Sequence, residues 1–343
     1  MPQAEPKRLT KLEQPDKKFV VSSSPHVHSE DSVQKIMWTV VATLVPATMV
    51  GIYYFGWSAL LVVGLSIGFC TVFEAAFQKW RGVPVTLWDG SAMVTALLLA
   101  MNLPAGLPWW MVAIGALLAI GLGKHAFGGL GHNIFNPALV ARVFLLVSFP
   151  VSMTTWPTPT PLLGGHVDAT TSATLLGLVK EKGAAAVDAS LGNMMLGNMG
   201  GSIGEVGALA LLLGGAWLFK KKYITWQIPG MFIGTVVVLG GLFWVINPEQ
   251  YPNPLFHLFS GGLLLGALFM ATDMVTSPMS SKGQIIFGFG CGLLTIVIRL
   301  FGGYPEGVSF AILIMNATTP LIDRWTVPKK FGYVAPKKKE AAA

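Results

Sequence analysis

Between residues 168 and 177 the chain reads DATTSATLLG, hydroxyl side chains set among small alanines. A threonine there has two chemical uses. Its oxygen can cap a helix, and Thr174 stands directly ahead of the apolar run LLGLV, where a hydroxyl residue is a good N-cap. It can also be esterified by a phosphate-bearing group, and composition does not choose between the two. Asp168 reads either as a recognition carboxylate or as a solvated loop residue. Other ionisable and polar groups fall in or beside apolar segments: Glu74, Arg142, Asp89, Asn102, Asp273, Glu306 and Asp323. Charges inside lipid are costly, so they are paired or functional. For Asp89 and Asp273 both an ion pathway and helix capping stay open. Arg142 pairs with an anion or ties one helix to another. His125 and His132 lack tight metal spacing, and Cys70 and Cys291 form no CxxC pair, so no metal or disulfide framework is expected.

The elements that must position these groups are membrane helices. Of 343 residues 53% are hydrophobic and 11% charged, too few charges to coat a water-soluble globule of this size. Ten apolar runs of spanning length follow one another, at roughly 36–54, 57–78, 84–102, 108–123, 134–153, 205–219, 225–246, 255–272, 284–301 and 306–322. The first has no cleavage-site pattern behind it, so it is expected to stay as a helix. With both termini in the cytoplasm, the basic residues gather inside: the N-terminal tail through Lys35, then Lys79, Arg81, Lys124, Lys220 to Lys222, Lys282 and the C-terminal tail. Only Lys180, Lys182 and Arg299 fall outside, with Arg142 inside a helix. The net charge of +7 is then a topology signal with anionic lipid as its counterpart; no aromatic-rich basic module points to nucleic acid.

A weak internal repeat divides the chain. DGSAMVTALLLAMN from Asp89 lies over SGGLLLGALFMATD from Ser260, matching Gly90 to Gly261 and Asn102 to Asp273. FGGLGHNIFNPA from Phe127 lies over FGGYPEGVSFAI from Phe301. Five helices per half is an odd number, so the halves enter the membrane from opposite sides. The expected fold is an all-α integral membrane protein of about ten helices in two inverted-topology five-helix repeats. A basic N-terminal tail (1–35) precedes the first half (36–153), an outer-face loop carrying DATTSATLLG (154–204) joins it to the second half (205–322), and a basic C-terminal tail (323–343) follows. In such folds Gly- and Pro-interrupted segments often meet near the midplane and hold ions; the Gly90 and Gly261 regions with Asn102 and Asp273, and the two GG segments with Asn133, Asn136 and Glu306, read either as such a site or as ordinary turns at the membrane edges. Met194, Met195 and Met199 are expected to fill gaps, and Trp109, Trp110 and Trp156 to form an outer interfacial belt.

Five stretches together resemble the family of Rnf complex D subunits (RnfD) and the related B subunit of the sodium-pumping NADH:quinone oxidoreductase (NqrB). They are SSPHVHS at 23–29, GGLGHNIFNPALVARVFLLVSFPVSMTTW at 128–156, TSAT at 171–174, ATDMVTSP at 271–278 and FGGYPEGVSFAILIMNATTPLID at 301–323. In that family the threonine closing a Ser-x-Ala-Thr pattern carries FMN through a phosphoester, installed from FAD by a flavin transferase. The resemblance places FMN on Thr174, with Thr171 where the pattern has serine and with Ser172 and Ala173 leaving room for the modifying enzyme. It also implies a second, noncovalent flavin, riboflavin; with flavins present, the roles open to Asp89 and Asp273 are an ion pathway, flavin positioning, helix capping and interfacial solvation. It implies further a place in a multi-subunit complex of the bacterial cytoplasmic (inner) membrane, passing electrons between reduced ferredoxin and NAD and coupled to Na⁺ or H⁺ movement. His26 and His28 would dock a neighbouring Rnf subunit. No GxGxxG stands in a strand-turn-helix context, so NAD chemistry is expected in a partner. The rival reading is a solute or ion transporter or channel formed by inverted repeats, with no redox cofactor.

Overall fold

The structure, a computed structural model, describes residues 31–159, 171–172, 174–183, 191–197, 199–304 and 306–328. Asp168, Ala173, the SSPHVHS stretch, the side chains of Thr171 and Ser172 and most of both tails lie outside the described residues.

Helix occurs in each of the ten apolar runs, and its breaks fall where the backbone or its hydrogen bonding demands them. The helical stretch Val33–Trp80 is interrupted at Gly56, whose φ of 65° and ψ of −143° suit only glycine, giving α1 (33–55) and α2 (57–80). The third run is helical only from Ser91, as α3 (Ser91–Met101). Gly90, at φ 79°, turns the chain into it, and Asp89 Oδ1 accepts from Ser91 N and Oγ at 2.8 and 2.7 Å. Helix α4 (Trp109–Leu117) runs on as a π turn over Leu118–Leu122. Helix α5 (Pro137–Ser148) begins on Asn136, whose Oδ1 accepts from Ala138 N and Leu139 N. It stops at Phe149 because Pro150 has no N–H to continue the ladder, and the short α6 (Pro150–Thr154) follows.

The connection after α6 departs from an all-α description. A two-residue antiparallel pair, β1 (Trp156–Pro157) with β2 (Thr171–Ser172), sets Trp156 opposite Ser172 and Pro157 opposite Thr171. Helices α7 (Leu175–Lys182) and α8 (Leu191–Leu196) follow. The second half consists of α9 (Ala208–Lys220), α10 (Gln227–Ile246), α11 (Pro254–Phe259), α12 (Leu263–Leu265) with a π turn over Gly266–Met270, α13 (Ser281–Phe301) and α14 (Val308–Thr326). The eighth run is broken because Gly261 and Gly262 both take left-handed φ, 67° and 64°.

Close helix contact comes from small residues. A Cβ on Gly288 of α13 would stand 2.7 Å from Ile228 O of α10, and one on Gly292 would stand 2.6 Å from Thr235 Cβ. This four-residue glycine spacing lets two backbones meet, the packing that helices use where hydrophobic burial gives no drive between them. Leu44, Leu99, Leu139, Phe232 and Phe287 are fully enclosed. Trp57, Val72, Leu213, Val238 and Val245 point their apolar side chains outward. Among the described residues four helical segments are long and apolar enough to cross a membrane: Val33–Trp80, which Gly56 divides, Trp109–Phe127, Gln227–Ile246 and Ser281–Phe301. Ser91–Met101 and Pro137–Ser148 are shorter apolar helices. The chain is a helical protein with an apolar exterior suited to lipid.

Candidate functional site

Thr174 is the N-cap of α7. Its backbone is extended, at φ −62° and ψ 153°, and its Oγ1 accepts from Gly177 N at 3.1 Å, satisfying one of the free amides of the first turn. The residue is 5% exposed, so this hydroxyl is held in place by packing as well as by its hydrogen bond. Leu176, Met194, Met199 and Phe256 form a small apolar cluster that seats α7 and α8 on α11. The methionines fill gaps there. Further along α7, Lys180 Nζ donates to the carbonyls of Gly302 and Tyr304, just past the end of α13, and burial pushes its ammonium below the usual lysine value. Trp156 is 5% exposed, enclosed at the β pair rather than lying in an interfacial belt, whereas Trp109 and Trp110 are exposed.

A second constellation joins the two halves. Arg142 of α5 donates through Nη1 to Asn102 Oδ1, at the end of α3, and through Nη2 to Glu306 Oε2, ahead of α14. Asn102 Nδ2 donates to Leu98 O at 2.6 Å and lies 3.5 Å from Met270 Sδ; Asn136 Nδ2 reaches Met270 O at 3.3 Å. Asn102, Glu306 and Arg142 are all buried, and the second carboxylate oxygen of Glu306 has no hydrogen-bond partner among the described residues. Two of the candidate pathway residues, Asn102 and Glu306, thus meet through Arg142.

The remaining two do not join them. Asp89 is committed to the cap of α3. Asp273 sits in the turn after the π segment 266–270, accepting from Val275 N and Thr276 Oγ1, each at 3.3 Å, with Asn133 Nδ2 at 3.5 Å. It lines a cleft, open at its mouth, between the two halves. Its walls are mostly apolar, from Met37, Val40, Leu98 and Phe269, with Ser91, Lys124, Asn133 and Asn136 supplying polar atoms. At its edge a buried cluster gathers on Glu74 of α2. Lys124 Nζ lies 2.8 Å from Glu74 Oε1 and 2.7 Å from Ser91 Oγ, Gln78 Nε2 donates to the same carboxylate at 2.9 Å, and His125 Nε2 is 3.2 Å away. His125 is therefore a buried partner of Glu74 rather than a solvated loop histidine, while His132 is exposed. No group of three or more His, Cys, Asp or Glu able to hold a metal occurs among the described residues, and Cys70 and Cys291 are buried thiols.

Two cations, Lys124 and Arg299, are legible in the sequence only as topology markers. Their similar, though not equivalent, places leave a signal that could have found them: Lys124 precedes the first FGG by three residues and Arg299 precedes the second by two. Both are buried at the end of the fourth long helix of their half, and both reach back to the glycine-led start of the third, Lys124 to Ser91 Oγ and Arg299 to the carbonyls of Ser260 and Gly261.

Residues 20–332 match the profile of the NQR2, RnfD, RnfE family. The chain belongs to that family. Within it, the D subunit of the proton-translocating ferredoxin:NAD(+) oxidoreductase complex of Clostridium ljungdahlii is 51% identical over 321 residues, 92% of this chain and 96% of that protein. The D subunit of the Na(+)-translocating ferredoxin:NAD(+) oxidoreductase complex of Acetobacterium woodii is 45% identical over 327 residues, covering 95% and 98%. The D subunit of the ion-translocating oxidoreductase complex of Stutzerimonas stutzeri is 44% identical over 338 residues, 91% and 96%. The match to the NQR2, RnfD, RnfE family spans both halves and the connection that holds Thr174.

Proposed function

We propose that the chain is the D subunit of an ion-translocating ferredoxin:NAD oxidoreductase complex, with FMN esterified to Thr174 as an electron relay. It would work as ten membrane helices in two inverted halves in the bacterial cytoplasmic membrane, with both termini in the cytoplasm and α7 on the outer face. Other subunits would carry the NAD chemistry, and a flavin transferase would load the chain. The family supports the complex, since two relatives covered almost end to end are named as D subunits of ferredoxin:NAD(+) oxidoreductase complexes and a third as the D subunit of an ion-translocating oxidoreductase complex.

The observation that carries the flavin is the place of Thr174 Oγ1. It lies at the N-terminus of α7, where unpaired amides and the helix dipole favour an anion, so a phosphoester formed there meets positive potential. The ester oxygen keeps a lone pair for Gly177 N, so modification is compatible with the cap. When bound, FMN supplies one- and two-electron transfer. The protein's part is to fix its anchor: the β pair leads the chain into Thr174, the Leu176 cluster seats α7, and Lys180 fastens its far end to the turn after α13.

The cleft suits the noncovalent riboflavin, having apolar walls for a flat ring and Asn133 and Asn136 for its polar edge. For the ion, the pathway would use Asp273 in the cleft, Glu306, Asn102 and Asp89. The family leaves the ion open, because one relative is named for protons and another for Na⁺. The test of the relay is direct: the chain made in a host with the transferase should fluoresce as flavin on a denaturing gel, and Thr174→Val should remove that fluorescence. A colourless wild-type band would reject the covalent flavin.

A further inference from the structure

The two matching cations differ in one respect. Lys124 is neutralised by Glu74 at 2.8 Å. Arg299, 4% exposed, has no ion pair among the described residues. Its Nη1 donates to His257 O at 2.7 Å and its Nη2 to Ser260 O and Gly261 O at 2.9 and 3.1 Å, while Nε has no partner among the described residues. Three of the five guanidinium N–H groups are thereby used. Glu205, the carboxylate whose field reaches Arg299, is hydrogen-bonded to Ser202 at 2.9 Å instead. An enclosed cation without a contacting anion is strongly unfavourable, so among the described residues Arg299 lacks the partner that Lys124 has.

The missing charge has a place. A Cβ on Gly261 would stand 2.3 Å from Leu176 Cδ1 and 2.7 Å from Arg299 Nη2, so the first turn of α7 and the guanidinium converge on one glycine. Thr174, capping that turn, is also buried. We propose that Arg299 is the counter-charge and positioning residue for a phosphodiester on Thr174 Oγ1, the anion there taking the part that Glu74 plays for Lys124 in the first half. The inference rests on the reading that Thr174 is esterified. A phosphodiester carries one negative charge at neutral pH, and a guanidinium pairs with phosphate oxygens more strongly than a neutral donor does. No bond is made or broken in the pairing; its effect is to hold the flavin's tether against α13.

A double-mutant cycle in detergent tests it, using chains from a host with the transferase and intact mass to establish flavin content. Arg299→Gln should lower the melting temperature of the flavin-bearing chain clearly more than it lowers that of Thr174→Val, which has no phosphate. The three lost carbonyl contacts are common to both backgrounds and cancel. Equal losses in the two backgrounds would overturn the proposal. Should Arg299→Gln yield no folded protein, Arg299→Lys is read by the phosphorus NMR resonance of the diester, which should move at full flavin content; an unmoved resonance would overturn it as well. A wild-type chain without flavin mass would instead reject the underlying reading of Thr174, so the two failures are distinct.

Discussion

Arg142 shows at the scale of a single residue why charge at membrane depth is informative. It is buried, it touches Asn102 and Glu306, and its two partners come from opposite halves of the chain. Removing one member of a buried pair leaves the other uncompensated, at about 3–5 kcal/mol, whereas replacing both by apolar groups is far milder. Glu306→Ala and Arg142→Met should therefore each lower the thermal midpoint sharply, and the double substitution should lower it less than the two singles added together. Additive losses in a thermal-shift series would remove the pair from the account. The sequence marks both residues as costly, but it cannot join them, since they lie far apart along the chain and meet only through the packing of α5 on α14. The same limit applies to Arg299. Its charge reads as topology, and its contacts with Ser260 and Gly261 follow from three-dimensional proximity alone.

Helices are the most legible level, because an apolar run long enough for lipid is a strong signal that needs no periodicity, and glycine or proline marks its ends. The misplacements have local causes. Helix α3 starts late because Gly90 turns left-handed and Asp89 commits its carboxylate to the cap; the eighth run breaks at Gly261 and Gly262 for the same backbone reason. The β pair and the burial of Trp156 are not legible, since two residues per strand carry no alternation to read. Element packing gives its own prediction. Gly292 of α13 faces Phe232 O and Thr235 of α10 closely enough that Gly292→Val must push the helices apart. Overpacking of this kind costs about 1–3 kcal/mol. The variant should melt earlier than wild type, while Gly234→Ala, which meets nothing within 4 Å, should melt with it. Equal behaviour of the two would contradict the close approach.

Across the whole molecule, two halves enclose a cleft whose polar residues come from both, and the tethered group is expected at the far face from that cleft. Orientation is testable by single cysteines in a chain whose native cysteines have been replaced. A cysteine at Lys221 should react with a membrane-impermeant maleimide only after the cytoplasmic side is opened, and one at Lys180 should react from outside. The reverse pattern would invert the topology. Coupling is testable at the cleft. Asp273→Asn keeps the shape of the turn and removes a charge, so in the assembled complex it should lower ion transport more than ferredoxin-dependent NAD reduction. Equal losses would take Asp273 off the pathway.

Intact mass of the purified chain, from cells that express the transferase, goes most directly to the tethered relay. Wild type should be heavier than its sequence by one FMN less one water, with the added mass mapping to the peptide that contains Thr174 and absent from Thr174→Val. An unmodified wild-type mass, or an FMN found on another residue, would contradict the account.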